Sequence, residues 1–474
     1  MKKYILSHDF GTSSDKIVLF SLDGSIIKSH SETYPTYVDF PGCSEQDPED
    51  WWKAFCHGNE IILEGIDPGE IACCAIDGTD PDLICLNEKD EVLHRCLMWN
   101  DTRGKEEAAA WNEKAEVKEL PKLSYNSHIA RILWMMKHNP EVIERSTHIF
   151  STNHSYLIYR LSKESVCDSD SAVDSGMYVK AIKDWDPLIL KEIKLDRSLF
   201  PRVVGPTEIV GYIQKGVSEE CHLIEGIPLI GCYPDASAAA VGTGAYLLHH
   251  AILSCGTSAG IMYTAEEESF GFKAGAFSVS VGSSYNWVLE TLLGKRDHAL
   301  AEEMLKESPA GAHGVIFLPY LSGERSPFID PDAKGTWCGL NKAVTKADLL
   351  RSTVEGIMMN LSLFLKEIRE KGYPVEEMSI TGGFSKSDAI CQIIADVMDV
   401  KLYTLKDTDL SAAIGSAVLG GVALGIYEDI SVVKQFLKTD KVFTPNKENA
   451  EYYASRLSLF RKIHEQLTPL YPEL

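Results

Sequence analysis

Two turns of similar composition, each set between short apolar runs, constrain this chain more than any other feature. Asp9-Phe10-Gly11-Thr12-Ser13-Ser14-Asp15-Lys16 lies between the runs 4–7 and 17–22. Ser254-Cys255-Gly256-Thr257-Ser258-Ala259-Gly260 lies between 251–253 and 261–263. The spacing predicts strand, tight turn, strand at both places. Glycine lets the backbone approach an anion, and adjacent hydroxyl and amide groups can hold phosphate oxygens. Either turn alone reads first as an ordinary β-hairpin. Their recurrence 245 residues apart, with an acid at Asp9 and a base at Lys16, points to two related domains closing on one polyphosphate.

Length agrees with that duplication. A chain of 474 residues is too long for one compact core, since single cores stop growing at roughly 250 to 300 residues. The expected division is 1–245 and 246–474. With 69 acidic against 46 basic residues the formal net charge is −23, which argues against general nucleic-acid binding and against an anionic membrane surface. An anionic ligand therefore needs local help from Mg²⁺, lysine or backbone N–H groups. Twelve cysteines are scattered without metal-ligand spacing and read as reduced thiols. No run approaches the roughly 18 apolar residues of a membrane span, and Met1-Lys2-Lys3-Tyr4 leads into a strand too short for a signal peptide's apolar core. A cytoplasmic location is expected, and homodimerisation is left open.

Along the chain the pattern is α/β. Asp23-Gly24 turns the first hairpin into a third strand at 26–34. Asp47-Pro48-Glu49-Asp50 opens a helix carrying Trp51, Trp52 and Phe55, with Pro48 tolerated in the first turn and the acids favoured by the helix dipole. Strands are expected at 71–76, 83–86, 227–230 and 378–380, and helices at 129–138, 156–161, 349–370, 388–398 and 446–467. The small residues of 236–244 suit a tightly packed helix or connection.

Several side chains suit phosphoryl transfer, which needs a positioned polyphosphate, a metal and a carboxylate near the attacking hydroxyl. Asp9 can position Mg²⁺ through water, because hard cations prefer oxygen ligands. Gly11, Thr12, Ser13 and Lys16 can contact the transferring phosphate, with Gly256 and Thr257 on its other side. Asp235 follows an apolar strand and Pro234, where a carboxylate can take a substrate hydroxyl proton; it reads equally as an N-cap for the next helix, and the roles are compatible. Trp99-Asn100-Asp101-Thr102-Arg103 suits a polyol, or a salt-bridged helix start. Gly382-Gly383-Phe384, after the 378–380 strand, lets an adenine or phosphate lie against the backbone.

Taken together, these residues resemble the FGGY carbohydrate kinases over nearly the whole chain, nearest to the xylulokinases. The likeness runs through Asp9-Phe10-Gly11-Thr12-Ser13, Glu45-Gln46-Asp47-Pro48-Glu49-Asp50-Trp51-Trp52, Trp99 to Arg103 and the turn carrying Asp235. It continues through Phe317-Leu318-Pro319-Tyr320-Leu321-Ser322-Gly323-Glu324-Arg325-Ser326-Pro327, Gly382-Gly383 and Ala412-Ala413-Ile414-Gly415-Ser416-Ala417. The resemblance implies two ribonuclease-H-like domains of the actin and heat-shock-protein ATPase superfamily, with ATP and a sugar in the cleft between them. It implies Asp235 as catalytic base, Asp9 as the acid associated with Mg²⁺, and Thr12, Ser13, Lys16, Gly256 and Thr257 as phosphate contacts. Gly382, Gly383, Phe384, Ser411 and Gly415 fall at its adenosine pocket, Phe384 standing where a third glycine is common and either stacking on the base or filling space. Asn100, Asp101 and Arg103 fall beside the sugar. Where xylulokinases carry Gln-Met-His-Gly, this chain has Thr79-Asp80-Pro81-Asp82, so Thr79 and Asp80 are expected to alter which hydroxyl pattern is satisfied. The expected activity is ATP-dependent phosphorylation of a primary hydroxyl of a small sugar, ketose or polyol. The competing class is a non-catalytic sugar or nucleotide sensor, or an actin-like ATPase module, on the same fold; a sensor has no need of Asp235.

Overall fold

The structure is a computed structural model that describes residues 2–474 apart from 119, 125–126, 232, 248–249, 257, 264–275, 279, 322, 325–326, 329 and 331, with the backbone alone at 117–118 and 276–277. It contains two compact units. One comprises Met1–Gly242 with Asp409–Phe436, the other Thr243–Thr408 with Leu437–Leu474.

In the first unit β1 (Tyr4–Phe10), β2 (Ser14–Ser21) and β3 (Ile26–Thr33) form an antiparallel meander. β3 alternates half-buried with exposed side chains, as an edge strand with one wet face does. Helix α1 (Pro48–Ile62) starts where the Asp47 carboxylate accepts the Glu49 N–H, and its Trp51, Trp52 and Phe55 are buried in one core with Phe10, Ile17 and Leu19. β4 (Ile71–Gly78) is buried along its whole length, the signature of a central parallel strand, and pairs parallel with β1. β5 (Ile209–Tyr212) and β6 (Pro228–Ile230) complete the order β5–β6–β4–β1–β2–β3. Helix α2 (Asn153–Ser162) is capped by Thr152, and α3 (Asp235–Gly242) follows β6.

The second unit repeats this plan. β7 (His250–Cys255), β8 (Ala259–Tyr263) and β9 (Ala276–Ser278) form the meander, β10 (Glu377–Gly382) pairs parallel with β7, and β11 (Lys401–Leu405) pairs parallel with β10. The edge strand β12 (Thr439–Phe443) is antiparallel, giving the order β9–β8–β7–β10–β11–β12. Helix α4 (Gly282–Leu293) follows the meander, and α5 (Asp388–Met398) joins β10 to β11. The Phe317–Pro327 run is anchored by its glutamate: Glu324, 3% exposed, accepts from Ser278 Oγ at 2.7 Å and Asn360 Nδ2 at 2.9 Å. Ser322, Arg325 and Ser326 of that run lie outside the described residues.

Candidate functional site

The two Gly-Thr-Ser turns occupy equivalent places, each joining the first and second strands of its sheet. In the first, Gly11 N–H donates to Ser14 O at 3.1 Å. Its carbonyls are held from outside: Tyr34 Oη donates to Gly11 O at 2.5 Å and Gln46 Nε2 to Thr12 O at 2.6 Å. Trp99, 39% exposed, donates from Nε1 to Thr12 Oγ1 at 3.1 Å. No described group accepts from the Thr12 and Ser13 N–H groups, so this turn presents donors on a braced backbone, as anion sites do.

Around that turn the sheet gathers charge. Asp9 Oδ2 accepts from Lys16 Nζ at 2.9 Å. β1 and β4 place Asp9 opposite Asp77, and Gly78 bridges Pro234, which brings Asp235 to the same end of the sheet. Asp77 is fully buried; its Oδ2 accepts from Ser416 Oγ at 2.5 Å and its Oδ1 has no partner. Burial, and then the Asp9 carboxylate, hold Asp77 well above the usual carboxylate range. Asp235 opens α3 and is partly buried; burial and then Asp9 push it up to about 7, against the opposing pull of the Ala236 N–H and Lys16. Burial disfavours the Lys16 cation, yet Asp9, Asp77 and Asp235 outweigh it and hold Lys16 above its ordinary value. The donors suit a hard cation. Among the described residues, however, no three acidic, His or Cys side chains are grouped to hold a metal alone, so Mg²⁺ would depend on Asp9 together with phosphate oxygens and water.

The Thr79–Asp82 segment is divided between frame and free group. Thr79 Oγ1 donates to Asp82 Oδ2 at 2.8 Å and accepts from Asn153 Nδ2 at 3.0 Å, while Asp82 Oδ1 accepts the Trp99 N–H at 2.8 Å. Asn153 also donates to Phe10 O at 2.9 Å, tying this segment to β1. Thr79 is thus committed to structure, and only Asp80 keeps a carboxyl oxygen, Oδ2, buried without a partner. Asp101 and Arg103 are committed too. Arg103 Nε donates to Asp101 Oδ2 at 2.9 Å, its Nη2 to Glu45 Oε1 at 2.7 Å, and its guanidinium lies 4.2 Å from the Trp134 ring centre. These ion pairs tie the segment to Glu45. Asn100, by contrast, is exposed.

The carboxyls of this region carry a signed consequence. Burial pushes Asp82 and Asp170 up to about 7 and Asp174 to about 6, Asp168 adding to the shift of the last two. The folded chain then holds protons that the unfolded chain releases near pH 4, so this contribution to stability is complete below about pH 4 and is lost as pH rises towards 7. Urea midpoints measured from pH 4 to 8 should show Asp170→Asn with a shallower decline than the unsubstituted protein. An unchanged slope would contradict the assigned shift.

In the second unit a cavity of about 820 Å³ opens beside the second turn, lined by Gly256, Tyr285, His298, Glu302, Gly383 and Phe384 among others. Gly382 has φ +88°, and a Cβ there would stand 2.1 Å from Cys255 O, so glycine is required for the close approach of β10 to β7. Gly383 has open space before it. Phe384, 5% exposed, meets Tyr285 edge-on with ring centres 5.3 Å apart; it fills the cavity wall. Glu302 accepts the Ala389 N–H at 3.0 Å at the start of α5. Thr257 lies outside the described residues.

Ser411 and Gly415 are not among the residues lining this cavity. Their helix, Ser411–Ala423, belongs to the first unit and packs on α3, with Gly415 facing Ala238 O and Gly242 facing Ser411 O. The small residues here make a backbone-to-backbone helix contact. Sequence reading also passed over Asp77, Asn153, Tyr285 and His298. Asp77 was legible as an acid ending an apolar strand; the other three carry no local signal.

The duplicated fold is that of the actin and heat-shock-protein type of ATPase. The chain belongs to the FGGY family of carbohydrate kinases: the family's N-terminal domain matches residues 4–242 and its C-terminal domain residues 251–424. It is similar to the xylulose kinase of Staphylococcus epidermidis, 27% identical over 500 aligned residues that cover 100% of this chain and 99% of the relative. Among solved structures, the gluconate kinase from Lactobacillus acidophilus superposes with a TM-score of 0.88 at 26% identity, covering 100% of both chains. The ligand-bound xylulose kinase from the same organism gives 0.87 at 26%, covering 99% of each. The protein is therefore a carbohydrate kinase of a family that uses ATP, and the sensor reading is not favoured. Among the described residues no helix is long and apolar enough to cross a membrane, and none of the eleven described cysteines is in a disulfide.

Proposed function

We propose that this kinase transfers the γ-phosphoryl group of ATP to a primary hydroxyl of a small sugar or sugar-derived alcohol, with Asp235 as general base. The observation that carries the reading is the convergence of Asp9, Lys16, Asp77 and Asp235 at the braced first turn. Asp235 would orient the acceptor hydroxyl and take its proton, and a carboxyl lifted to about 7 suits that exchange near neutral pH. Lys16 and the free Thr12 and Ser13 N–H groups would hold oxygens of the transferring group where negative charge develops. Mg²⁺, carried on the nucleotide and oriented by Asp9, would supply charge neutralisation. The cavity walled by Tyr285 and Phe384 is the adenosine site in this reading, with Gly256 and Gly383 admitting phosphates close to the backbone.

The relatives' names divide between an uncharged ketose and an aldonate as acceptor, so the acceptor is the open variable. A coupled ADP-release assay across tetruloses, ketopentoses, alditols and aldonates tests the reading. ADP release that depends on one of these acceptors is expected. Turnover indifferent to every acceptor would mean an ATPase, and none at all would remove the kinase assignment.

A further inference from the structure

The hairpin that carries the first turn has a second polar face, which the phosphoryl-transfer reading leaves unused. Strand pairing sets Asp9 opposite Lys16, on the face where Ser7 Oγ donates to Ala413 O at 2.9 Å. Because successive side chains of a strand alternate, His8 and Asp15 point the other way, under α1. Both are fully buried, in a layer otherwise filled by Phe10, Ile17 and Phe55. His8 Nδ1 lies 2.8 Å from Asp15 Oδ2, and its Nε2 donates at 3.1 Å to Oδ1 of Asn59, a fully buried residue in the last turn of α1. The ring stacks on Phe55 with centres 4.3 Å apart. Wherever the proton between His8 and Asp15 sits, the pair is neutral overall. Burial raises the Asp15 carboxyl above its ordinary range, with His8 pulling against it. Apolar residues would pack this layer at least as stably, since a buried ion pair rarely repays its desolvation; what such a pair can supply is a unique register. Register has a chemical consequence here. Sliding β2 by one residue against β1 would exchange its faces and carry Lys16 away from Asp9. Asp15 also follows Ser14, whose carbonyl accepts the Gly11 N–H, so the pair ties down the turn at its root.

Resting on the kinase reading above, we propose that His8, Asp15 and Asn59 are positioning residues for phosphoryl transfer, a buried hydrogen-bonded network that fixes the β1–β2 register and so holds Asp9, Lys16 and the turn between them against the transferring group. The network touches no substrate and acts only through Asp9 and Lys16. A group that merely filled the core would change how much protein is folded. One that positions Asp9 and Lys16 changes the rate of each folded molecule.

The test is kcat, acceptor KM and thermal unfolding of His8→Leu/Asp15→Leu, with the best acceptor of the ADP-release panel above. Removing both partners leaves no uncompensated charge, so the unfolding midpoint is expected to match or exceed that of the unsubstituted protein. Over the same change kcat should fall about 30-fold, with acceptor KM and calorimetric ADP affinity within about twofold. Asp15→Asn keeps an oxygen for the ring and is expected to retain at least about half of kcat. Asn59→Leu releases one edge of the ring, leaves the pair, and should lower kcat about fivefold. Unchanged kcat in the folded double variant or in folded Asn59→Leu overturns the proposal, as does a loss of activity matched by an equal loss of folded protein. A loss of about tenfold or more in Asp15→Asn overturns it too, because charge rather than hydrogen bonding would then be what matters. Each of these results leaves the kinase reading intact. An unsubstituted protein that releases no ADP in response to any acceptor overturns both.

Discussion

Asp235→Asn is expected to lower acceptor-dependent kcat by about 10³ while leaving ADP binding within about twofold and raising thermal stability. The three effects have separate causes. Asparagine keeps the shape of the side chain but cannot take a proton, so the hydroxyl must attack without a base. The nucleotide cavity is lined by residues 255–441 and does not include Asp235, so its affinity has no reason to change. Stability rises because an acid lifted to about 7 by burial and by Asp9 is a strained component of the folded state once ionised, and the amide removes that charge. Acceptor-dependent ADP release, calorimetry with ADP and a thermal scan at pH 8 measure the three. Near-normal turnover would end the assignment of Asp235 as base; lost turnover accompanied by lost stability would make it a structural group.

The second large effect is expected at a position with no reacting atom near it. A Cβ on Gly415 would stand 1.8 Å from Ala238 O and 3.0 Å from Gly242 N, both backbone atoms of α3. Real Cβ atoms do not approach so closely, so Gly415→Ala must push the Ser411–Ala423 helix away from the helix that carries Asp235. Overpacking of this kind costs about 3 kcal/mol, and a displacement of about 1 Å at the base should reduce kcat about 100-fold. Urea denaturation and steady-state kinetics check both numbers. Unchanged stability with ADP affinity lowered tenfold or more would instead favour the adenosine contact that the family resemblance implies for Gly415.

The helix contact of Gly415 shows where local reading stops. The Ala412–Ala417 run was legible as a motif, and its small residues signalled a close approach, but nothing within it says what approaches. The structure answers with α3, more than 170 residues earlier in the chain. The same holds for Asp101 and Arg103. Their spacing suits a polyol or a salt bridge, and the bridge forms with Glu45, Ser44 and the Trp134 ring, each remote in sequence. Helix ends were more readily legible: Asp47, Ser387 and Asn446 each accept a backbone N–H at the helix start that their residue type announces. The return of 409–436 to the first unit depends on packing that no local pattern encodes.

By itself the sequence determined the repeated strand–turn–strand units, the acid and base beside the first, the family, and Asp235 at the end of a strand, because each is set by short-range periodicity and residue type. The tertiary structure decided which acids stand together. Asp77 reaches Asp9 through a parallel pairing of strands 68 residues apart in register, and Asp80 is left unpaired because Asn153 and Trp99 claim its neighbours. Hydrogen-bond commitment is a property of the packed chain, since a side chain is free for substrate only after every other group has chosen its partner.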